Sequence, residues 1–251
     1  DVTTTSRVAR WRLWVWCVAV CASVLDVLFD LFQIELEAIA ESSRFGTEAW
    51  YASMSMAFQY GYSLQWINNS YQYNIGDTTA QIIKRAASKE SAGVVNLKVA
   101  KLSGASPVPL STVEKAAFVD YVKKVKPAGV QVDVISDNGD DLRLFLKCYY
   151  DPLVLSATGE SLLNSGVFPV EDSINAYIAA LPFNGVLELD DLIFNIKKVS
   201  GVTNAYVLDA QSRYGANPFV SFVESYLANA GYLVIDSGTP LNSSITYIAN
   251  V

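Results

Sequence analysis

Residues 11–39 predict one long helix with an apolar seam, and this segment constrains the chain more than any other. Apolar residues recur there at alternating spacings of four and three, which places them in one row along a helix. A row kept over about four heptads is typical of a helix that packs against partner helices. The row consists of Trp11, Val15, Val18, Ala22, Leu25, Phe29, Phe32, Leu36 and Ile39.

The two halves of this helix differ in character. The second half carries a polar row at the same spacing, formed by Asp26, Asp30, Gln33, Glu37, Glu41 and Arg44. The first half is apolar all round, and a helix of that kind must be surrounded rather than covered on one side. The residues predicted to form a helical bundle interface are Trp11, Trp14, Val18, Leu25, Phe29, Phe32, Leu36 and Ile39.

Three other interpretations compete with a bundle. A membrane span needs about 20 apolar residues, whereas the uncharged stretch Leu13–Leu25 has 13 and is closed by Asp26 and Asp30. A secretory signal would fit Arg7, Arg10 and Arg12 before an apolar stretch, yet the seam continues past the cleavage position that it predicts. A core helix of a monomer would explain the seam but not the apolar residues outside it. We therefore expect no membrane span.

Charge and cysteine usage narrow the possible partners. A net charge of −7 in 251 residues opposes binding to a phosphate backbone. The three cysteines form no disulfide framework, and Cys17 and Cys21, four apart on one helix, lack the freedom for good disulfide geometry. Reduced, buried thiols and folding in a cytosol are the expectation. Because the first residue is not Met, we also expect the natural product to extend before Asp1.

The rest of the chain predicts an α+β fold, with helices on one face of an antiparallel or mixed sheet. Ser111 to Glu114 is a capping box that opens a helix, and two further helices follow Pro169 and Leu189. The strands at 130–134 and 142–146 are predicted to be antiparallel neighbours. The predicted organisation is a helical assembly segment at 1–61, a connector at 62–93 and an α+β region at 94–251 that can split near 150–160.

The order of helices and strands, with the residues that connect them, resembles that of the baseplate J-like proteins. These are the wedge proteins that ring the hub of contractile phage tails. In the second half the resemblance lies in the helix-to-strand joint at 127–132 and in the helix, helix, Gly-Val and strand order at 170–202. In the first half the sequence is similar to versions carried by phages and prophages of Bacteroides-like bacteria. The residues that carry this second likeness are Thr5-Ser6-Arg7, Trp11-Arg12-Leu13-Trp14-Val15, Phe29-Asp30 and Ala57-Phe58-Gln59-Tyr60-Gly61.

The resemblance implies a structural protein of the virion, assembled in the host cytoplasm. It implies wedges around a hub, with the N-terminal helix bundled with another wedge subunit and with a second copy of this chain, and with ring closure through the C-terminal domain. Larger members carry inserted domains that this chain lacks, so the contacts of those insertions are not transferred.

Enzymatic chemistry has little support in the sequence, and we expect no catalytic residue, no cofactor and no metal site. The chain has no histidine, which removes the commonest general base near neutral pH. The pair Asp140-Asp141 keeps a metal-dependent nucleotidyltransferase as the enzyme alternative, although adjacent residues of a strand point to opposite faces. The binding alternative is a surface protein anchored in a membrane by the N-terminal helix.

Overall fold

The computed structural model describes residues 10–67 and 70–250. Within them the chain begins with one long helix and continues as an α+β fold. Helices occupy α1 (Arg10–Ser43), α2 (Glu48–Met56), α3 (Thr112–Val125), α4 (Pro169–Ala180), α5 (Leu189–Lys197) and α6 (Leu241–Ser244). Strands occupy β1 (Leu64–Ile67), β2 (Ser70–Tyr73), β3 (Arg85–Ser91), β4 (Val94–Ser103), β5 (Ser106–Val108), β6 (Gln131–Ile135), β7 (Asp140–Tyr150), β8 (Val186–Glu188), β9 (Val202–Arg213), β10 (Val220–Phe222), β11 (Ser225–Leu227), β12 (Leu233–Ile235) and β13 (Ile245–Ala249). The predicted fold class is confirmed.

The chain divides into two compact units, residues 1–50 and residues 51–251. The described part of the first unit contains α1, the turn that follows it and the start of α2. In that turn Gly46 adopts a left-handed φ of 82° and ends the helical path. The hydroxyl of Thr47 then accepts a hydrogen bond from the backbone N–H of Trp50 and caps α2. The division at 1–61, 62–93 and 94–251 that the sequence predicts stays a prediction.

The described residues of the second unit form four sheets: a small sheet around β4, a larger sheet around β7, and the two antiparallel pairs β1–β2 and β8–β11. In the small sheet β4 is central: β3 pairs with it antiparallel, and β5 and β6 pair along its other edge, β6 in parallel. The region predicted as a connector therefore contains β3, which belongs to this sheet. Tyr51, Phe58 and Phe118 are buried, and Phe58 meets Phe118 edge to face with ring centroids 5.3 Å apart.

The larger sheet is built on β7, the strand with the most regular alternation. Its even-numbered residues are buried and its odd-numbered residues are half-buried, because alternate side chains point to opposite faces of a sheet. β9 pairs with β7 antiparallel, whereas β12 and β13 pair with it in parallel along the other edge. β10 extends the sheet beyond β9. Helices α4 and α5 pack on the buried face through Ile174, Leu192 and Ile196.

The prediction that β6 and β7 are antiparallel neighbours is wrong. β6 pairs with β4 in the small sheet, and β7 begins the larger sheet. The turn between them changes sheets instead of closing a hairpin. Gly139 makes this possible because a Cβ there would lie 2.7 Å from the Tyr232 ring, so only glycine fits against that side chain.

Candidate assembly interface

The candidate interface is α1, whose helical pattern is clear in the sequence and whose side chains are uncovered in the structure. The helix has 34 residues and is therefore about 50 Å long. Isolated helices draw little stability from propensity alone, and most protein helices depend on packing of an apolar face. Five β-branched valines between Val15 and Val27 lower the intrinsic helix propensity further.

The predicted interface residues are brought into line along α1 but are not buried by the chain itself. Trp11 is partly exposed, and the other seven are exposed. Their exposed fractions are 73% for Trp14, 66% for Val18, 54% for Leu25, 67% for Phe29, 55% for Phe32, 48% for Leu36 and 56% for Ile39. Contiguous exposed apolar surface of this kind marks an interaction site in a native protein.

Apolar side chains also leave α1 outside the predicted seam. Leu13, Trp16, Val20, Val24 and Ile34 are all exposed. They project from the side of the helix roughly opposite the seam, so one flat partner surface cannot cover both sets. The arrangement therefore fits a helix enclosed by several partner helices or by lipid.

The length and composition of α1 also pass the test for a membrane-crossing helix. Among the described residues one stretch does so, Arg10–Glu37, with 28 residues, a mean hydropathy of 2.1 and none of its apolar window buried. This stretch is longer than the uncharged core Leu13–Leu25 because it includes charged residues on both sides of that core. The finding favours the membrane anchor as the competing interpretation of the same surface.

The charges on α1 oppose its helix dipole. The first turn has no acidic residue and the last turn has no basic residue. Arginines at the start of a helix and acids towards its end both interact unfavourably with the dipole, by a few tenths of a kcal/mol each. Electrostatics therefore do not stabilise α1 by itself, and burial of its apolar surface is the interaction that can.

The three cysteines are free, in two different settings. Cys148 is buried under α4 and α5, and burial raises the pKa of its thiol to about 11. Cys17 and Cys21 lie on α1 and are exposed. The expectation that all three are buried is therefore wrong for the chain by itself.

The acidic pair proposed for an enzyme site does not converge. Asp140 is buried and accepts hydrogen bonds from the backbone N–H groups of Asn229 and Ala230, at 2.8 and 2.9 Å, and from the hydroxyl of Tyr226. Asp141 points to the other face of β7 and pairs with Arg213. Both carboxylates stabilise the fold. Within the described residues no group of three or more Asp, Glu or Cys side chains is arranged to hold a metal ion.

A junction that the sequence did not indicate links the small sheet to the segments beside the β8–β11 pair. Lys98 of β4 donates hydrogen bonds from its Nζ to the side-chain oxygen of Asn184 and to the carbonyl of Ala228, both at 2.7 Å. Burial lowers the pKa of Lys98. Lys98 and Asp140 thus hold the loop 226–231 from two sides. The contacting residues lie 86 to 130 positions apart, so no local pattern reveals them.

A second unpredicted cluster lies on the outer face of the larger sheet. The ring of Phe219 lies between two guanidinium groups, with its centroid 3.6 Å from the Cζ of Arg143 and 4.4 Å from that of Arg213. Asp236 accepts a hydrogen bond from Arg143 at 2.7 Å, which lowers the pKa of its carboxyl group. This cluster fixes the loop before β10 on the sheet.

The fold and the site define an α+β protein that carries one long, uncovered apolar helix. No family model matches the chain. No curated protein matches its sequence at a significant level. Of the motifs on which the resemblance to baseplate J-like proteins depends, Thr5-Ser6-Arg7 lies outside the described residues.

Proposed function

We propose that this chain is a structural protein of a phage virion, a wedge subunit of the tail baseplate that contributes to a ring around the hub. Its α1 enters a helical bundle with another wedge subunit and a second copy of the chain. The α+β unit makes the lateral contacts that close the ring. Assembly takes place in the host cytoplasm, and the protein has no catalytic role.

The observation that carries this proposal is the uncovered state of α1. Seven of the eight predicted interface residues are about half to three-quarters exposed, and the remaining one is partly exposed. Fully burying one Val, Leu or Phe side chain is worth about 1.5–3 kcal/mol, before the cost of ordering the partners. A row of such residues therefore provides a strong driving force for bundling. The order of joints shared with baseplate J-like proteins adds the second line of support.

The competing function is a membrane-anchored surface protein, and the stretch Arg10–Glu37 favours it. Two features favour the bundle over lipid. Asp26 and Asp30 lie inside that stretch, and a carboxylate at the centre of a bilayer helix costs about 2.5–3.5 kcal/mol. The seam also continues beyond these acids, through Phe32 and Leu36 to Ile39. A membrane span that ended at the acids would not require an apolar row in this part of the helix.

The first test is sedimentation of a producing lysate in a detergent-free density gradient, with electron microscopy of the fractions. Co-sedimentation with a large particle that carries a tail supports the proposal, and the image then gives the symmetry of the ring. Flotation of the chain with liposomes instead would contradict the proposal and support the membrane anchor. A small soluble species in both assays would leave neither function standing.

A further inference from the structure

The second half of α1 carries acidic side chains on both flanks of its apolar seam. Asp26, Asp30, Glu35 and Glu37 are exposed, and none of them forms an ion pair within the part of the chain that the structure describes. Glu37 accepts one hydrogen bond, from the amide of Gln33 at 2.9 Å. Between Leu13 and Ser43 the sequence contains no Lys or Arg. The seam is therefore flanked by one sign of charge over its second half.

A second copy of the chain does not neutralise these acids in parallel packing. Two parallel copies bring the same residues to the same level along the bundle, as in other parallel coiled coils. Asp26 then lies near Asp26 of the other copy, and Glu37 near Glu37. Like charges at such positions are destabilising.

Antiparallel packing of two copies is only a partial solution. If the two seams are aligned, Arg10 and Arg12 reach the level of Glu35 and Glu37. Asp26 and Asp30 then lie opposite residues 17–21, a stretch without any cation. Neither orientation of a second copy supplies a partner for the two central acids.

We propose that the seam of α1 is completed by a helix of a different chain, which presents an apolar row flanked by Lys or Arg opposite Asp26, Asp30, Glu35 and Glu37. This inference rests on the proposed bundling of α1 and names the chemistry of one partner in it. The apolar row supplies the affinity, and the cations select this partner over another copy of the chain.

Three synthetic helices test the selection by charge against the full-length protein. The first has the sequence of residues 10–43. The second carries Asp26→Lys, Asp30→Lys, Glu35→Lys and Glu37→Lys, and the third carries Asn or Gln at the same four positions. The three peptides share one seam, so any difference in affinity comes from the flanking charges. Binding is measured by fluorescence anisotropy in detergent-free buffer at about 50 mM and about 300 mM salt.

We expect the lysine peptide to bind about tenfold more tightly than the native sequence at low salt, with the neutral peptide between them, and the difference to shrink at high salt. Equal or tighter binding of the native sequence would overturn the inference while leaving the bundle intact. Binding of none of the three would overturn both the inference and the bundling of α1. The two failures are therefore distinguishable.

Discussion

At the scale of single residues, one lysine links distant parts of the α+β unit. Lys98 reaches from the small sheet to Asn184, which precedes β8, and to the carbonyl of Ala228, which follows β11. Replacing it with methionine keeps the aliphatic stem and removes both hydrogen bonds. A lost donor leaves two half-buried acceptors unsatisfied, and each costs roughly 1–3 kcal/mol where water cannot replace the bond.

We expect Lys98→Met to lower the free energy of unfolding by about 1–3 kcal/mol in urea denaturation. Lys124→Met is the matched control, because Lys124 is exposed on α3 and is not part of the junction. The control should change stability by less than about 0.5 kcal/mol. Equal stability of the two variants would show that Lys98 does not hold the sheets together.

A second residue, Asp77, predicts how stability depends on pH. Its carboxylate accepts hydrogen bonds from the backbone N–H and hydroxyl of Thr79 and from the hydroxyl of Tyr62. These bonds favour the charged form and lower the pKa of Asp77 to about 2. Because the folded pKa is depressed, the stabilisation is present above the ordinary value near 3.8 and is lost as the pH falls through about 2.

The measurement compares the melting temperatures of the wild type and Asp77→Asn from pH 6 to pH 1.5. We expect the wild type to be more stable above pH 4 and the difference to vanish towards pH 2. Because both proteins share all other carboxylates, the difference isolates Asp77. A gap that stays constant with pH would contradict the assigned hydrogen bonds.

Residue-scale features divide sharply into predictable and unpredictable ones. The seam residues from Trp11 to Ile39 could be found from the sequence, because helical periodicity is local. Lys98, Asp140 and the stack of Phe219 on two arginines could not. Lys98 and Asp140 contact residues 86 or more positions away, and Phe219 contacts Arg143 76 positions away. An alternating strand shows which face a side chain takes but not what it meets there.

At the scale of elements, the proposed bundling of α1 can be tested by placing a charge in its seam. In a dry bundle interior an aspartate there costs far more than the loss of one apolar contact. We expect Leu25→Asp or Phe32→Asp to abolish incorporation into the particle, measured by sedimentation. Ser23→Asp is the control, since it adds the same charge on α1 outside the seam.

The control variant should be incorporated into particles like the wild type. Circular dichroism of all three variants should show an unchanged α+β unit. Normal particles from Leu25→Asp and Phe32→Asp together would disprove the bundle. Loss of assembly in Ser23→Asp as well would mean that α1 tolerates no added charge on any side, as expected for a helix enclosed by lipid.

The cysteines of α1 provide a direct reading of its surroundings. In the free chain at pH 8 a charged thiol reagent should modify Cys17 and Cys21 rapidly, because both are exposed. Cys148 should stay unmodified, since it is buried and its pKa of about 11 keeps it protonated at that pH. After assembly we expect Cys21 to be protected, because it lies next to the seam. After unfolding we expect all three thiols to react. Unchanged reactivity of Cys21 in the particle would mean that the seam is not covered.

Element prediction succeeded where a local signal marked the start of a helix. The capping box of Ser111 and Glu114 is present at the start of α3, and Pro169 occupies the first position of α4. Pairing between strands was less predictable. β6 and β7 are adjacent in sequence with a turn between them, yet each joins a different sheet, because contacts of Gly139 and Asp140 with residues 226–232 override the local turn signal.

At the scale of the whole molecule, the division after Trp50 separates the unit that contains α1 from a unit that has its own core. The core of the second unit includes Leu142, Leu146, Ile174 and Leu192, all at most 1% exposed. The side chains of α1 described above are exposed and are not members of that core cluster. Stability of the α+β unit should therefore be independent of α1.

This independence predicts the behaviour of a chain that starts at Thr47, which keeps the hydroxyl that caps α2. We expect residues 47–251 to unfold cooperatively, with a melting temperature within about 2 °C of a monomeric full-length sample, since a shift of that size corresponds to less than about 1 kcal/mol for a domain of this size. The fragment should be soluble without detergent and excluded from particles. A chain that starts at Val94 is the informative contrast, because it lacks β3 and the buried side chains of Tyr51 and Phe58. It should melt at a much lower temperature, and equal stability of the two fragments would mean that the core begins at Val94 rather than at Tyr51.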